Sequence, residues 1–340
     1  MSSPARPADL ALPIVDSALA DRLRARLARV EEDLFDHASS RAPYVTEAAR
    51  HLLAAGGKRF RPLLVLLAAE AGPRPDDDAV LTAASIVEIT HVGSLDHDDV
   101  MDEAALRRGA DSANSRYDNL VAILTGDWLF AKSSELTSTL GPEAVRIQAE
   151  TFTRLVEGQI LETVAPGPDE DPLAHHLEVV AGKTGSLIAT SARYGALFSG
   201  AEPEVVAALT EYGELVGTAF QLSDDILDIA SDSEESGKTP GTDLKEGVPT
   251  LPVLLARAST EPEHARLREL LDPAQHDLAA DAAAHAEALA LLRAHPAMDE
   301  ARAYVVQRAQ EAKRLLQALP SGPVREALEA FADVVAVRSA

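Results

Sequence analysis

The chain has 340 residues, a formal net charge of −24 at pH 7 and no cysteine. Such a negative charge excludes nucleic acid as a partner, because a phosphate backbone needs a basic surface. The lack of cysteine excludes disulfides, thiolate metal sites and cysteine nucleophiles. The sequence has no apolar run long enough to span a bilayer, and its N-terminus has no basic segment followed by an apolar one. We therefore expect a cytoplasmic protein without a transmembrane segment.

Alanine and leucine dominate the apolar residues, and aromatic residues make up only 4% of the chain, which favours helices over strands. We expect residues 1–13 to form a mobile arm and residues 14–340 to form one large all-α domain. Helical spacing of apolar residues predicts helices over about 15–37, 46–55, 63–71, 76–102, 118–139, 142–164, 173–199 and 203–231. Four or five shorter helices follow residue 250. The polar segment 232–249 predicts a loop that can serve as a lid, and no strand-like alternation stands out.

Two copies of the acidic pattern D-D-x-x-D are the most informative feature. The first spans Asp98 to Asp102 and the second spans Asp224 to Asp228. In a helix the first and last Asp of each copy lie on one face, separated by a rise of only ~6 Å. At that distance like charges repel by roughly 3 kcal/mol when the effective dielectric constant is near 20. The pattern therefore predicts bound divalent cations, and Mg²⁺ in particular bridges carboxylates to phosphates.

Basic residues also occur in groups. Lys58, Arg59 and Arg61 follow Gly56-Gly57 at a predicted helix start, where free backbone N–H groups also attract anions. This arrangement predicts a site for a phosphate group.

A second set accompanies the first acidic motif. His91 lies nearly two helical turns before Asp98, so both project from one side of the helix. Arg107 and Arg108 follow that helix, and arginine matches phosphate oxygens bidentately. Other polar residues of the same kind are Lys183, Thr184, Gln221, Lys238 and Lys245. Together they predict that more than one phosphate group is bound.

Five ordered stretches resemble the trans-isoprenyl (polyprenyl) diphosphate synthase family. They are GGKRFRP (56–62), HDDVMDEAALRRG (97–109), GKTGS (182–186), FQLSDDILD (220–228) and GKTPGTDLKEG (237–247). The resemblance implies an all-α isoprenoid-synthase bundle with a central cavity, a homodimer, and head-to-tail condensation of isopentenyl diphosphate onto an allylic diphosphate. It also implies that about three Mg²⁺ ions, replaceable by Mn²⁺, bridge both aspartate motifs to the allylic diphosphate.

The resemblance implies a role for each matching residue. The implied metal ligands are Asp98, Asp102, Asp224 and Asp228, with Asp99 and Asp225 in support. The implied ligands of isopentenyl diphosphate are Lys58, Arg61, His91 and Arg108. The implied ligands of the allylic diphosphate are Arg107, Lys183, Thr184, Gln221 and Lys238. The implied catalytic set is Asp98, Asp99, Asp102, Arg107, Lys183, Asp224, Asp225 and Lys238.

The residues before the first motif bear on product length. In this family the floor of the product tunnel lies there, at the positions of Gly93 and Ser94. Small residues predict an open floor and a long-chain polyprenyl diphosphate, of the kind that supplies a quinone side chain. The alternatives are a geranylgeranyl or farnesylgeranyl product, or a purely structural role for both residues in close helix packing. Asp96 and Asp111 depart from the family pattern.

Three other functions compete with this interpretation. The spacing of His91, His97 and Asp98 resembles the ligand set of helical metal phosphohydrolases, but it leaves the second acidic motif unexplained. A terpene cyclase shares the fold but normally lacks a second diphosphate site. A non-catalytic partner subunit is the non-enzyme alternative, and the intact acidic motifs argue against it.

Overall fold

A computed structural model describes Leu10, residues 13–231 and residues 240–337. The first half contains α1 Ser17–His37, α2 Pro43–Ala54, α3 Phe60–Ala69, α4 Asp78–Met101, β1 Leu106–Arg107, β2 Ala110–Asp111, α5 Ala113–Arg116, α6 Asn119–Thr139 and α7 Pro142–Glu162. The second half contains α8 Pro172–Val180, a π-helical turn Ala181–Gly185, α9 Ser186–Phe198, α10 Pro203–Ala230, α11 Thr242–Glu246, α12 Leu251–Ala258, α13 Ala265–Leu270, α14 Ala282–Arg293, α15 Ala297–Leu315 and α16 Pro323–Val337. Short 3₁₀ turns span Pro262–His264 and Leu316–Ala318.

Aspartate side chains cap several helix N-termini. Asp16 Oδ1 accepts a hydrogen bond from the Leu19 N–H at 2.7 Å, and Asp118 Oδ1 accepts one from Val121 at 2.8 Å. A carboxylate at this position satisfies an unpaired N–H group and complements the helix dipole. The same role belongs to Asp77, Asp171 and Asp281. Some of the aspartates that make the chain so acidic therefore serve as N-caps of helices.

Contacts divide the chain into two compact units. The first comprises residues 1–153, 187–213 and 315–330, and the second comprises residues 154–186, 214–314 and 331–340. The prediction of one domain over residues 14–340 stays a prediction, and most of the predicted arm lies outside the described residues.

The core of the first unit is built on α3 and α4. From Pro62 to Ala69 every residue of α3 is buried, as expected of a helix that is apolar on all sides. It packs against α1 and α4, while α4 packs closely on α6. Each fully buried leucine contributes roughly 1.5–3 kcal/mol to folding. This rigid core supports the segment of α4 that carries the first acidic motif.

The second unit has a leucine- and alanine-rich core of its own, with Leu251, Leu270 and Leu292 buried. None of the described helices is long and apolar enough to cross a membrane.

Three details differ from the sequence-based prediction. The predicted helix over 173–199 is interrupted by the π-helical turn at Ala181–Gly185. The predicted loop over 232–249 contains the short helix α11, although residues 232–239 lie outside the description. The expectation of no strands was wrong for β1 and β2, which pair antiparallel around Arg108-Gly109. Both turn residues have positive φ, 56° and 78°, as a type I′ hairpin turn requires. Two-residue strands are too short to produce an alternating pattern.

Candidate active site

The first acidic motif lies at the C-terminal end of α4. Asp98 is half-buried, Asp99 is fully buried, and Asp102 is the C-cap residue, with a side chain 58% exposed. The motif therefore separates into two partly exposed outer carboxylates and a buried inner carboxylate. This agrees with a supporting role for Asp99.

Asp99 is held by the hairpin that follows α4. Arg107 Nε donates to Asp99 Oδ1 at 2.6 Å, and Arg107 Nη2 lies 4.0 Å from Asp102 Oδ2. Asp99 Oδ2 is buried and accepts no hydrogen bond within the described part of the chain. A buried acceptor left unpaired costs about 1–3 kcal/mol. The unpaired oxygen next to Asp98 therefore fits a site that is completed by a cation and its bound water.

His91 is surrounded by predicted site arginines. Its burial, and then the positive charges of Arg61, Arg108, Arg59 and Arg107, hold the pKa of His91 well below its ordinary value. The imidazole is therefore neutral at neutral pH. The first unit thus brings together four residues that the sequence predicted to contact diphosphates, which are Arg61, His91, Arg107 and Arg108.

Arg59 differs from the prediction for its group. The sequence pattern predicts that Arg59, together with Lys58 and Arg61, binds a phosphate group. The structure instead buries Arg59 against two carboxylates, Glu31 and Glu88. Lys58 remains exposed, and Arg61 is half-buried in the first turn of α3. The guanidinium of Arg59 is engaged in internal ion pairs because Arg59 precedes a helix that is buried on every side.

The second acidic motif lies in the last turns of α10, and Asp225 is its buried member. Asp225 Oδ2 lies 3.2 Å from His176 Nε2, and Asp225 Oδ1 accepts from Gln221 Nε2 at 3.1 Å. Gln221 Oε1 in turn accepts from Thr184 Oγ1 at 2.9 Å. The predicted residues Thr184, Gln221 and Asp225 therefore form one hydrogen-bonded chain. His176 was missed, because a lone histidine on a helix carries no distinguishing pattern.

The outer carboxylates of this motif are both half-buried. Asp228 accepts hydrogen bonds from the backbone N–H groups of Thr242 at 3.2 Å and Asp243 at 3.1 Å, so it also caps α11. Asp224 lies one turn earlier on α10. Lys238, predicted to contact the allylic diphosphate, lies outside the described residues.

Lys183 lies in the π-helical turn. Its Nζ donates to Glu162 Oε2 at 2.6 Å, so the cation is held by a carboxylate in this structure. Two glycines allow the turn to approach α7, since a Cβ on Gly158 would lie 2.4 Å from the Lys183 backbone nitrogen. The other is Gly182, where a Cβ would lie 2.8 Å from the Arg154 carbonyl oxygen. Single π-helical turns are frequent at functional sites.

Comparison with known protein families shows to which family this chain belongs. A family model described as "Polyprenyl synthetase" matches residues 42–289, a range that holds both acidic motifs and every predicted site residue. The chain belongs to the polyprenyl synthetase family. It is a prenyltransferase with the all-α fold that the sequence predicted.

Individual relatives agree with this family. The chain is 48% identical to a nonaprenyl diphosphate synthase of Mycobacterium tuberculosis over 95% of each protein. It is 31% identical to an octaprenyl diphosphate synthase of Escherichia coli, covering 92% of this chain and 95% of that protein. A solved geranylgeranyl pyrophosphate synthase of Corynebacterium glutamicum, complexed with calcium and isoprenyl diphosphate, has a TM-score of 0.85 and 43% identity. That comparison covers 96% of this chain and 99% of the solved chain.

The metal-phosphohydrolase alternative does not agree with the surroundings of His97 in this prenyltransferase. His97 Nε2 lies 3.0 Å from the Ile123 carbonyl oxygen and 3.4 Å from Asp127 Oδ1, and its ring packs edge-on against Phe130. Within the described residues no three His, Asp or Glu side chains are grouped to hold a metal ion. Mg²⁺ commonly uses one or two carboxylates together with substrate phosphates. The acidic motifs of this prenyltransferase therefore fit a metal ion that is bound together with a diphosphate.

The predicted chain-length residues have different environments in this prenyltransferase. Gly93 is buried where α4 meets α6, and a Cβ there would lie 3.1 Å from Phe130 Cε1 and 3.2 Å from the Gly126 carbonyl oxygen. Gly93 thus has the close-packing role considered as an alternative. Ser94 is half-buried, and its Oγ donates to the His91 carbonyl oxygen at 2.8 Å. Of the two residues, Ser94 is the less buried.

Asp96, the departure from the family pattern, is 2% exposed. Burial, and then the charge of Asp99, raises the pKa of Asp96 from 3.8 to about 8. Its carboxyl group is therefore mainly protonated at neutral pH.

Proposed function

We propose that this prenyltransferase condenses isopentenyl diphosphate head-to-tail onto an allylic diphosphate and produces a long-chain polyprenyl diphosphate. The observation that carries the proposal is the same in both acidic motifs. Partly accessible carboxylates flank a buried Asp that is oriented by a basic side chain, Arg107 in one motif and His176 in the other. Such paired arrangements suit binding of a polyanion through divalent cations.

Asp98, Asp102, Asp224 and Asp228 would hold Mg²⁺, for which Mn²⁺ can substitute. When bound, the metal neutralises the charge that develops on the departing diphosphate. These four carboxylates supply the hard oxygen ligands that Mg²⁺ prefers. Asp99 and Asp225 would orient the motifs through their buried hydrogen bonds.

The predicted diphosphate-binding residues form two groups, one for each substrate. Arg107 and Lys183 would bind the allylic diphosphate. Asp99 would keep its hydrogen bond to Arg107 Nε, whereas Lys183 would exchange Glu162 for phosphate oxygens. Thr184, Gln221 and Lys238 complete that set. These charges stabilise the leaving group, and departure of the diphosphate leaves an allylic cation.

Arg61, Arg108, Lys58 and His91 would bind isopentenyl diphosphate. A neutral His91 adds a hydrogen bond without adding a fifth positive charge to the four arginines around it. Bound there, the C=C bond of isopentenyl diphosphate would attack the allylic cation to form the new C–C bond, and transfer of a proton to the departed diphosphate would restore a double bond and complete the reaction. No side-chain nucleophile is required.

Support for a long product comes from the relatives named nonaprenyl and octaprenyl diphosphate synthase and from the small side chain of Ser94. A quinone side chain is the use we propose for such a product. A geranylgeranyl product is the second candidate, favoured by the Corynebacterium structure of that name.

We also propose that the enzyme is a homodimer. Leu120, Ile123 and Leu124 lie on one face of α6 and are 66%, 41% and 56% exposed. An apolar stripe of this kind marks an interaction surface, and a two-fold dimer would pair the stripe with its own copy. Sedimentation should give twice the chain mass, and Leu124→Glu should give a monomer.

One assay tests the reaction. The protein is incubated with Mg²⁺, farnesyl diphosphate and labelled isopentenyl diphosphate, and the extracted products are analysed by mass spectrometry. We expect a series of longer prenyl diphosphates. Released phosphate without condensation would indicate hydrolysis, a cyclic hydrocarbon would indicate a cyclase, and no turnover would indicate a partner subunit.

A further inference from the structure

A buried carboxylate lies among the arginines of the first unit. Glu88, on α4 three residues before His91, is 2% exposed. Its Oε1 accepts from Arg59 Nη1 at 2.9 Å and lies 3.9 Å from Arg108 Nη2. Glu88 is therefore shared between a structural arginine and an arginine that we propose to bind isopentenyl diphosphate.

Both arginines have an unfavourable backbone conformation. Their φ angles are +47° for Arg59 and +56° for Arg108, in the left-handed region that costs a non-glycine residue about 1–2 kcal/mol. Such conformations persist where the surrounding contacts determine them, and they cluster at functional sites. The side chains of both residues supply those contacts.

The two guanidinium groups also hold the glycine turn after α2. Arg59 donates to the carbonyl oxygens of Leu53 at 2.9 Å and Gly56 at 3.1 Å. Arg108 donates to the same Gly56 carbonyl and, at 3.3 Å, to that of Leu52. Lys58, which is predicted to contact isopentenyl diphosphate, follows this turn directly in the sequence.

Glycine at position 57 allows this arrangement. A Cβ there would lie 2.9 Å from Arg108 Cζ, and the φ of Gly57 is +140°. The guanidinium of Arg108 thus lies directly against the main chain of the turn, so movement of either one displaces the other.

Arg59 and Arg108 differ in how many carboxylates lie close to them. Arg59 contacts two carboxylates, Glu31 and Glu88, whereas the nearest carboxylate to Arg108 among its described ion pairs is Glu88 at 3.9 Å. A guanidinium with one distant counter-charge is oriented but still able to bind an anion. Removing Glu88 would leave the buried Arg59 and the half-buried Arg108 without the anion between them, and their repulsion would displace Arg108.

We propose that Glu88 is a positioning residue for isopentenyl diphosphate. It orients Arg108, whose guanidinium in turn contacts the glycine turn that precedes Lys58. Its role rests on the proposed function, because it acts through the diphosphate contact assigned to Arg108.

Steady-state kinetics of Glu88→Asp tests this role. The shorter side chain keeps the charge but withdraws the carboxylate from both guanidiniums. We expect the KM for isopentenyl diphosphate to rise about tenfold, the size of one charge-assisted contact, while kcat and the KM for the allylic diphosphate stay within about twofold. In an Arg108→Ala background the same substitution should add nothing to that KM.

Glu31→Gln is the matched control. It removes a carboxylate from Arg59 but none from Arg108, so the KM for isopentenyl diphosphate should stay near that of the wild type. Thermal unfolding of all variants shows whether a kinetic change merely follows lost stability.

The outcomes separate the two proposals. An active wild-type enzyme in which Glu88→Asp leaves the KM for isopentenyl diphosphate unchanged, raises both KM values alike, or has the same effect without Arg108 would overturn the role of Glu88 alone. A wild-type protein that makes no prenyl diphosphate would overturn the proposed function, and the role of Glu88 with it.

Discussion

The two acidic motifs have the same sequence pattern but different surroundings. The first ends α4, so Asp102 is exposed beyond the last turn. The second lies within α10, and Asp228 is restrained by two backbone N–H groups of α11. The buried members differ as well, because Asp99 is held by Arg107 and Asp225 by His176 and Gln221. One pattern can thus be supported by an arginine in the first motif and by a histidine and a glutamine in the second.

The largest expected effect comes from removing an outer carboxylate in either motif. Asp98→Ala and Asp224→Ala should each lower kcat by roughly 100-fold or more, because each removes a proposed metal ligand. Far-UV circular dichroism should show unchanged helix content. Asp36→Ala, an exposed position on α1, is the control and should keep full turnover. Normal turnover in one motif variant alone would show that the motifs are not equivalent.

Replacing the buried aspartates tests whether their different hydrogen-bond partners affect turnover. Asp99→Asn should lower kcat roughly 100-fold, because it removes the charge that holds Arg107. Asp225→Asn should lower kcat only about tenfold, because Gln221 and His176 can still hydrogen-bond to the amide. Equal losses would show that the different partners have no functional consequence.

The residues one turn before each motif also differ, since Ser94 precedes Asp98 where Phe220 precedes Asp224. Ser94→Phe gives α4 the side chain found in α10. We expect shorter products, because the aromatic ring would block the proposed tunnel floor. Ser94→Ala is the control that keeps the floor open. An unchanged distribution of product lengths by mass spectrometry would place the floor elsewhere.

The last comparison concerns stability rather than turnover, at the position two residues before each motif. Asp96 stands before the first motif where the second has the buried Leu222. Because the pKa of Asp96 rises from 3.8 to about 8 on folding, the native protein retains a proton that the unfolded chain releases. The free energy of unfolding should therefore fall as pH rises from about 4 to 8, by on the order of 5 kcal/mol.

Asp96→Leu and Asp96→Asn should remove this dependence. Urea denaturation in metal-free buffer at pH 5 and pH 8 measures the difference. Wild-type and variant stabilities that change in parallel would show that Asp96 has no such proton.

The sequence predicted those features that repeat over several turns or occur as patterns. Helical periodicity located most helices to within a few residues, and the acidic motifs led to the prediction that Asp98 and Asp224 are metal ligands. It could not distinguish Arg59 from Arg61, because the burial of Arg59 depends on Glu31 and Glu88 from distant helices. His176 was missed for the same reason, since its importance arises only from the position of Asp225. The π-helical turn depends on close packing at Gly158, which local propensity does not describe.

The tight hairpin formed by β1 and β2 links the binding of the two proposed substrates. Arg107 and Arg108 are consecutive, with Cα atoms ~3.8 Å apart, yet their side chains serve different proposed substrates. A shift of the hairpin that accompanies one diphosphate would carry the other arginine with it. Saturating the enzyme with a non-reactive allylic analogue should therefore alter its affinity for isopentenyl diphosphate, so that the two ligands bind cooperatively rather than independently.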